Sequence, residues 1–419
     1  MKNPFILLTA VCLVLLGQPA AACTGLVLQD GDRVLVGNNE DWFNPRTKIW
    51  FIQPVGERYG SIIFGFDNYY PQGGMNQKGL FFDGFALKSK PVDEPEAKPR
   101  FKGNLIKEVM ATCGTVAEAL ALFDRYSLRF MDHFQLFFAD ATGDAAIVEA
   151  NAVVRKQGDH QVVTNFRQSE TDPDKIACWR YLTAQKMLAD CGDDRLGCIR
   201  DILAATHNEG DYPTLYSNIY DLKAGRVYVY HFQDFDEAVV IDLEQELARK
   251  PGVIDLPTLF PHNAAAQAYT NKVTSLKKEY VHDAPRFVVR YPGVYVADAP
   301  LDDSQVFLSR SRAGKVPALT VSVSPAAAGM PLSLAGGEVY TPRLRTLGKN
   351  VAILSNRPVR LMDGSDAYET RLTWRWQGKI KVNSLVLSAI RDNQLVNVAL
   401  HNTGELDYLI HIPYSLRFE

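Results

Sequence analysis

The chain has 419 residues, 47% of them apolar, and a net charge of −3 from interspersed acidic and basic side chains. Its length predicts two or three domains with a sizeable buried core. The mixed charge argues against a nucleic-acid partner, because no basic face is available to follow phosphates.

The N-terminus opens with Lys2, an uncharged apolar run from Phe5 to Leu16, and then Ala20-Ala21-Ala22. This pattern predicts a signal peptide over residues 1–22, cleaved before Cys23, and hence a periplasmic or secreted protein. The apolar run is short for a membrane span. A cysteine directly after a cleavage site can also be lipidated. Ala20 stands where that signal usually carries leucine, which favours simple cleavage and no membrane anchor. Removing the leader leaves Cys23, Cys113, Cys178, Cys191 and Cys198. Cys191 and Cys198 enclose a polar loop that a disulfide would close, which leaves Cys113 and Cys178 for a second bridge. Four cysteines allow three pairings, and export alone does not require any of them.

From Cys23 onward the pattern is of short strands with interleaved helices. "TGLVLQD" and "RVLVGNN" read as a hairpin around Asp30-Gly31-Asp32. "SIIFGF" and "GLFFDGFAL" read as further strands, with "YYPQGGMNQKG" as the turn region between them. "NLIKEVMATCGTVAEALALFDRY" has helical spacing broken near Cys113-Gly114, with Thr115 as N-cap of a second helix. "HFQLFFAD", "DAAIVEAN" and "HQVVTNF" are strand-like; "ACWRYLTAQKMLAD" and "GCIRDILAATH" are amphipathic helices. "SNIYDLKAGRVYVYHF" and "EAVVIDL" close this part with strands. The expected class is α+β. The expected organisation is a catalytic domain over 23–250, a connection over 251–285 with a helix near Ala264 to Lys278, and a β-rich domain over 286–419.

Cleavage before Cys23 would leave a thiol and a free α-amine on one residue. An α-amine ordinarily titrates at about 7.7–8.0 and a thiol at about 8.5, so the pair supplies a nucleophile and a base without a histidine. Asp41 ends the second strand of the hairpin and would lie beside Cys23 if the two strands pair antiparallel, where it can orient the amine. Asn165, at a strand-to-loop boundary, is a candidate donor to an oxyanion. Thr206-His207 reads as structural, as a lone histidine near a helix end usually is. No Cys/His cluster has metal-ligand spacing and no phosphate-binding loop is present, so no cofactor or metal is expected.

"CTGLVLQDGDRVLVGNNEDW" resembles the opening of the choloylglycine hydrolase group of N-terminal-nucleophile hydrolases, which includes penicillin V acylases and bile salt hydrolases. "GGMNQKGLFFDGFA", "FFADATGDAAIVE" and "VVTNF" resemble later segments of that group in the same order, so the likeness runs from about Cys23 to Leu243. The resemblance implies an αββα sandwich and cleavage of a linear N-acyl amide of a small molecule through an acyl-cysteine thioester. It implies Cys23 as nucleophile, Asp41 as partner of the amine, Asn165 as oxyanion donor and Arg180 as the active-site arginine. Two positions depart from the pattern. Asn38 stands where the group has an arginine, and Ala86 where it has an asparagine; a role for Ala86 would run through its backbone N–H.

The alternatives are an acyltransferase using the same site and a non-catalytic lipoprotein with Cys23 lipidated. The aromatic set Trp42, Phe43, Trp50, Phe51, Phe64, Phe66, Phe81, Phe82 and Phe85 is expected mostly in the core, with a few members lining an acyl pocket. The C-terminal region resembles PsbP-like exported domains, which implies a small α/β sandwich with no chemistry of its own. The sequence leaves the oligomeric state open.

Overall fold

The computed structural model describes residues 23–94, 98–299, 306–309 and 316–419. The expected leader, residues 1–22, lies outside the described residues. The chain divides into two compact units, one comprising residues up to 43 and 78–242, the other 44–77 and 243–419.

In chain order the elements are β1 (Thr24–Asp30), β2 (Arg33–Asp41), β3 (Thr47–Ile52), β4 (Ser61–Phe66), β5 (Pro71–Asn76) and β6 (Phe81–Ala86). The helices α1 (Leu105–Thr112) and α2 (Val116–Asp124) follow, then β7 (Phe134–Ala139), β8 (Ala145–Glu149), β9 (Ala152–Arg155) and β10 (His160–Val163). Next come α3 (Trp179–Ala189), α4 (Arg195–Thr206), β11 (Thr214–Asp221), β12 (Arg226–His231) and β13 (Asp234–Asp242).

The first unit is a four-layer αββα sandwich. One sheet has the order β10-β1-β2-β11-β12-β13, and the other runs β6-β7-β8-β9. Alternation along each strand sorts the residues into layers. Leu26, Leu28 and Leu35 point outward and pack with Ile199, Ile202 and Leu203 of α4 and Ala184 and Leu188 of α3. On the opposite side Phe123 of α2 meets Phe138 of β7, with ring centroids 5.6 Å apart. Between the sheets, Phe81 packs against Phe137 and against Tyr220 of β11, at 6.1 and 4.9 Å. Gly25 is needed here: a β-carbon on it would come within 2.6 Å of Phe85 Cζ and 2.8 Å of Val163 Cγ1. The expected cap is present, with Thr115 accepting from Glu118 N at 3.2 Å in a complete capping box.

In the second unit β3, β4 and β5 pair antiparallel, with Val253–Asp255 alongside β3. The segment expected as a turn around Gly73-Gly74 is strand β5. Its glycines permit close pairing, since a β-carbon on Gly74 would sit 2.3 Å from the carbonyl oxygen of Ile62. Charged contacts tie 44–77 to the C-terminal residues. Arg46 meets Glu405 at 2.9 Å, Lys48 meets Asp255 at 2.5 Å, and Asp67 accepts from Glu405 N at 3.2 Å. The remainder is β-rich. A seven-stranded sheet includes Leu319–Pro325, Gln394–Asn402, Ile380–Arg391, Asp366–Trp376 and Gly348–Arg360, in that spatial order. The connecting helix spans Ala264–Thr274; Lys277 and Lys278, expected at its end, belong to the strand Leu276–Asp283.

Cys191 and Cys198 form a disulfide. The expected second bridge is not formed: Cys113 and Cys178 both remain thiols. Cys113 caps the end of α1, and Cys178 precedes α3, which packs on the other sheet.

Candidate active site

β1 is an inner strand, flanked by β10 and β2. Gly25 pairs with Val163 on one side and with Asn38 on the other. Continuing both registers by two residues sets Cys23 opposite Asn165 and opposite Glu40. The hairpin folds this way because Gly31, at φ +51, turns the chain in two residues. Cys23 is buried, with 5% of its surface exposed.

Asp41 lies on the helix-facing side of β2. Thr214 Oγ1 donates to its Oδ1 at 2.5 Å, and Arg180 Nη1 approaches its Oδ2 at 3.6 Å. Burial raises the Asp41 carboxyl to about 7, against the opposing pull of Thr214 and Arg180. Arg180 sits in the first turn of α3 and is itself buried, with its guanidinium 5.9 Å from the Trp179 ring centroid. The same guanidinium bonds the Cys178 thiol, which also receives the Thr164 hydroxyl at 3.3 Å. Although burial opposes it, these partners hold that thiol below its usual range.

Asn165 donates through Nδ2 to the carbonyl oxygen of Ala86 at 2.9 Å. The loop that carries it is fixed by the buried Gln135, whose amide donates to Thr164 O at 2.6 Å and Phe166 O at 3.2 Å. Ala86 and Asn165 are thus brought together through the Ala86 carbonyl. Trp42 and Phe43, half-buried just beyond Asp41, pack on each other at 4.7 Å and on Tyr212 at about 6 Å. Phe81, Phe82 and Phe85 are fully buried.

The face of β2 opposite Asp41 carries Asn38 and Glu40, which look across to Asp83 of β6. Asn38 donates to Asp83, which also accepts from Gly84 N at 2.8 Å. Burial pushes the carboxyls of Glu40 and Asp83 well above their ordinary range; Asp83 and Asp41 raise Glu40 further, while Gly84 N and Asn38 pull Asp83 the other way. The Cys23 thiol is likewise raised, first by burial and then by Glu40, Asp41 and Asp83, while the backbone N–H of Asp41 acts in the opposite sense. Sequence reasoning missed Glu40, Asp83 and Thr214. The single aspartate within the apolar run "GLFFDGFAL" was a usable signal for Asp83. Among the described residues no group of three or more His, Cys, Asp or Glu side chains is placed to hold a metal ion. No helix of the described residues is long and apolar enough to cross a membrane.

No protein-family profile and no curated protein matches the chain. Solved structures do. Penicillin V acylase from Agrobacterium tumefaciens is 18% identical, covering 56% of this chain and 92% of its own, at a TM-score of 0.45. A mutant conjugated bile acid hydrolase from Clostridium perfringens is 17% identical, covering 55% and 96%, at 0.40. These are the two enzyme types that the N-terminal motifs resemble. PsbP from the cyanobacterium Synechocystis sp. PCC 6803 is 12% identical, covering 35% and 94%, at 0.29.

Proposed function

We propose that the chain is an exported amidohydrolase whose nucleophile is Cys23, exposed as the N-terminal residue by removal of residues 1–22. The observation that carries this reading is the buried Asp41 on the strand next to Cys23, paired with Arg180 of α3. A carboxylate that titrates near neutrality, beside a residue able to offer both thiol and amine, suits acyl transfer.

In this reading the free amine of Cys23 accepts the thiol proton, and Asp41 orients the resulting ammonium. Sulfur attacks the amide carbonyl carbon, and the C=O π pair moves onto oxygen. Asn165 has two N–H donors on Nδ2. The bond to Ala86 fixes the plane of its amide and leaves the second N–H for the oxyanion. Such a donor is worth about 2.7–4 kcal/mol at known sites. Collapse of the intermediate breaks the C–N bond as the ammonium returns a proton to the leaving nitrogen. Water then hydrolyses the thioester, with the amine again acting as base.

The substrate class is a small N-acyl amide with an apolar acyl group and a neutral amine half. Trp42, Phe43 and Tyr212 supply an aromatic wall beside Asp41. Asn38 stands where the resembling group has arginine, and Glu40 and Asp83 add acidic groups near the thiol, so an anionic amine half gains no attraction there.

The test uses protein with a mature N-terminus at Cys23, confirmed by intact mass, assayed on matched acyl groups joined to neutral and anionic amines. Wild type is expected to prefer the neutral amides in kcat/KM, and Cys23→Ser to lose nearly all turnover while retaining the fold. Undiminished turnover by the serine variant would remove Cys23 from the role. A diacylglyceryl mass on Cys23 would replace the enzyme reading with that of a lipoprotein.

A further inference from the structure

The inter-sheet face beside Cys23 holds more acceptors than donors. Asn38 spends its amide N–H on Asp83, and its own Oδ1 is buried with no donor. Glu40 Oε2, Asp83 Oδ2 and Asn218 Oδ1 are buried in the same condition. Asn218 pairs with Asn38 across β2 and β11, so these atoms face one space. The groups that act on Glu40 are Asp83 from β6 and Asp41 from its own strand, both acidic. Tyr216 and Tyr220 of β11 face the same carboxyls, and burial holds both phenols neutral. Arg180 acts on Asp41, on the other face of β2. A buried carboxylate without a cation is costly, and acceptors left without a donor add to the cost.

In the full-length chain the nitrogen of Cys23 is an amide, with one hydrogen and no charge. Cutting the chain before Cys23 turns it into an amine that binds three hydrogens when protonated. The strand register puts that residue opposite Glu40. We propose that the α-ammonium of Cys23 is the cation this cluster is built around, with Glu40 as a second carboxylate anchor on the face opposite Asp41. The inference rests on the proposed cleavage before Cys23.

The proton balance is simple. Before cleavage Glu40 keeps a proton, because no cation acts on its anion and Asp83 has the better hydrogen bonds. After cleavage the carboxylic acid and the neutral amine become carboxylate and ammonium, and the proton moves from Glu40 oxygen to Cys23 nitrogen; this ammonium is the resting form, and it releases that proton to solvent before the amine can accept the thiol's. Glu40 is thus a positioning residue: it acts on the nucleophile through the amine and touches no reacting atom of the substrate.

The test labels cysteine with 13C at Cα in protein opened before Cys23, confirmed by intact mass, and follows the Cys23 Cα resonance against pH. A carboxylate partner favours the ammonium, so Glu40→Gln is expected to lower the amine midpoint by about one pH unit. Glu40→Asp should restore part of that loss. The acidic limb of kcat/KM for a neutral N-acyl amide should move down with the midpoint. An unchanged midpoint in Glu40→Gln, with a change confined to Asp41→Asn, would overturn the proposal. So would exported protein whose intact mass still includes residues before Cys23. If no amide is hydrolysed but the midpoint moves as stated, the anchor stands and the amidase reading falls.

Discussion

Asp41→Asn separates the site's chemistry from its energetic cost. The Asp41 carboxyl is buried and raised to about 7, whereas an unfolded aspartate titrates near 3.9. The folded state therefore binds the proton more tightly than the unfolded state. The stabilisation from this proton is full below about pH 3.9 and is lost as pH rises through 7. A separation of about three pH units, at about 1.36 kcal/mol each, makes the total loss about 4 kcal/mol. Asparagine does not titrate, so the difference in unfolding free energy between wild type and Asp41→Asn should carry this dependence, together with the smaller effect of Asp41 on Glu40 and Cys23. Wild type is expected to lose up to about 4 kcal/mol relative to the variant between pH 4 and pH 8, mostly between 5 and 7. Urea unfolding of both proteins at intervals across that range measures it. Activity should be lost in the variant at every pH. A flat difference would show that Asp41 titrates alike in both states. A difference of opposite sign would mean that Arg180, at 3.6 Å, outweighs burial.

Three further outcomes follow from other contacts. Cys178, held below the usual thiol range by Thr164 and Arg180, should react with iodoacetamide before Cys113, whose thiol burial raises; peptide mass spectrometry after brief labelling at pH 7 reads the order. Gly25→Ala should cost about 1–3 kcal/mol, because the new methyl group meets Phe85 and Val163 inside the sandwich; thermal unfolding measures it, and an unchanged midpoint would contradict the close sheet packing. Thr115→Ala should cost about 1 kcal/mol by removing the cap of α2, read from the urea midpoint at constant slope.

The layered architecture of the first unit was legible because each local rule agreed with the next. Alternation in "TGLVLQD" and "RVLVGNN", the Gly31 turn and the Thr115 cap are short-range signals, and each appears where the residues put it. The grouping of 44–77 with the C-terminal residues was not legible. It depends on Arg46, Lys48 and Asp67 meeting Glu405 and Asp255, contacts between charged residues far apart in sequence. Strand β5 was hidden for a different reason: a glycine pair reads as a turn until a neighbouring carbonyl occupies the space a side chain would need.

At the candidate site the same distinction decides what could be read. The placement of Asp41 and Asn165 beside Cys23 was legible because Asp41 ends β2, Asn165 follows β10 by two residues, and the register carries both strands to Cys23. Arg180 was identified by resemblance alone, and a helix-borne arginine is an ordinary surface residue until its burial against Asp41 is known. The pair Glu40 and Asp83 required both strand parity and knowledge of which strands face across the sheets. Glu40 follows Asn39 and precedes Asp41, so a strand must turn it to the opposite side from Asp41. That parity was available in "GNNED", but its consequence was not, because Asp83 lies more than forty residues away on the other sheet. The two faces of one short strand thus hold carboxyls in different electrostatic states. One is raised by burial to about 7 against the pull of Thr214 and Arg180; the other shares its space with a second acid and is raised well above its ordinary range. In the proposed reading Cys23, placed at the end of the adjacent strand, is governed by both, and its freed amine is the group through which they meet.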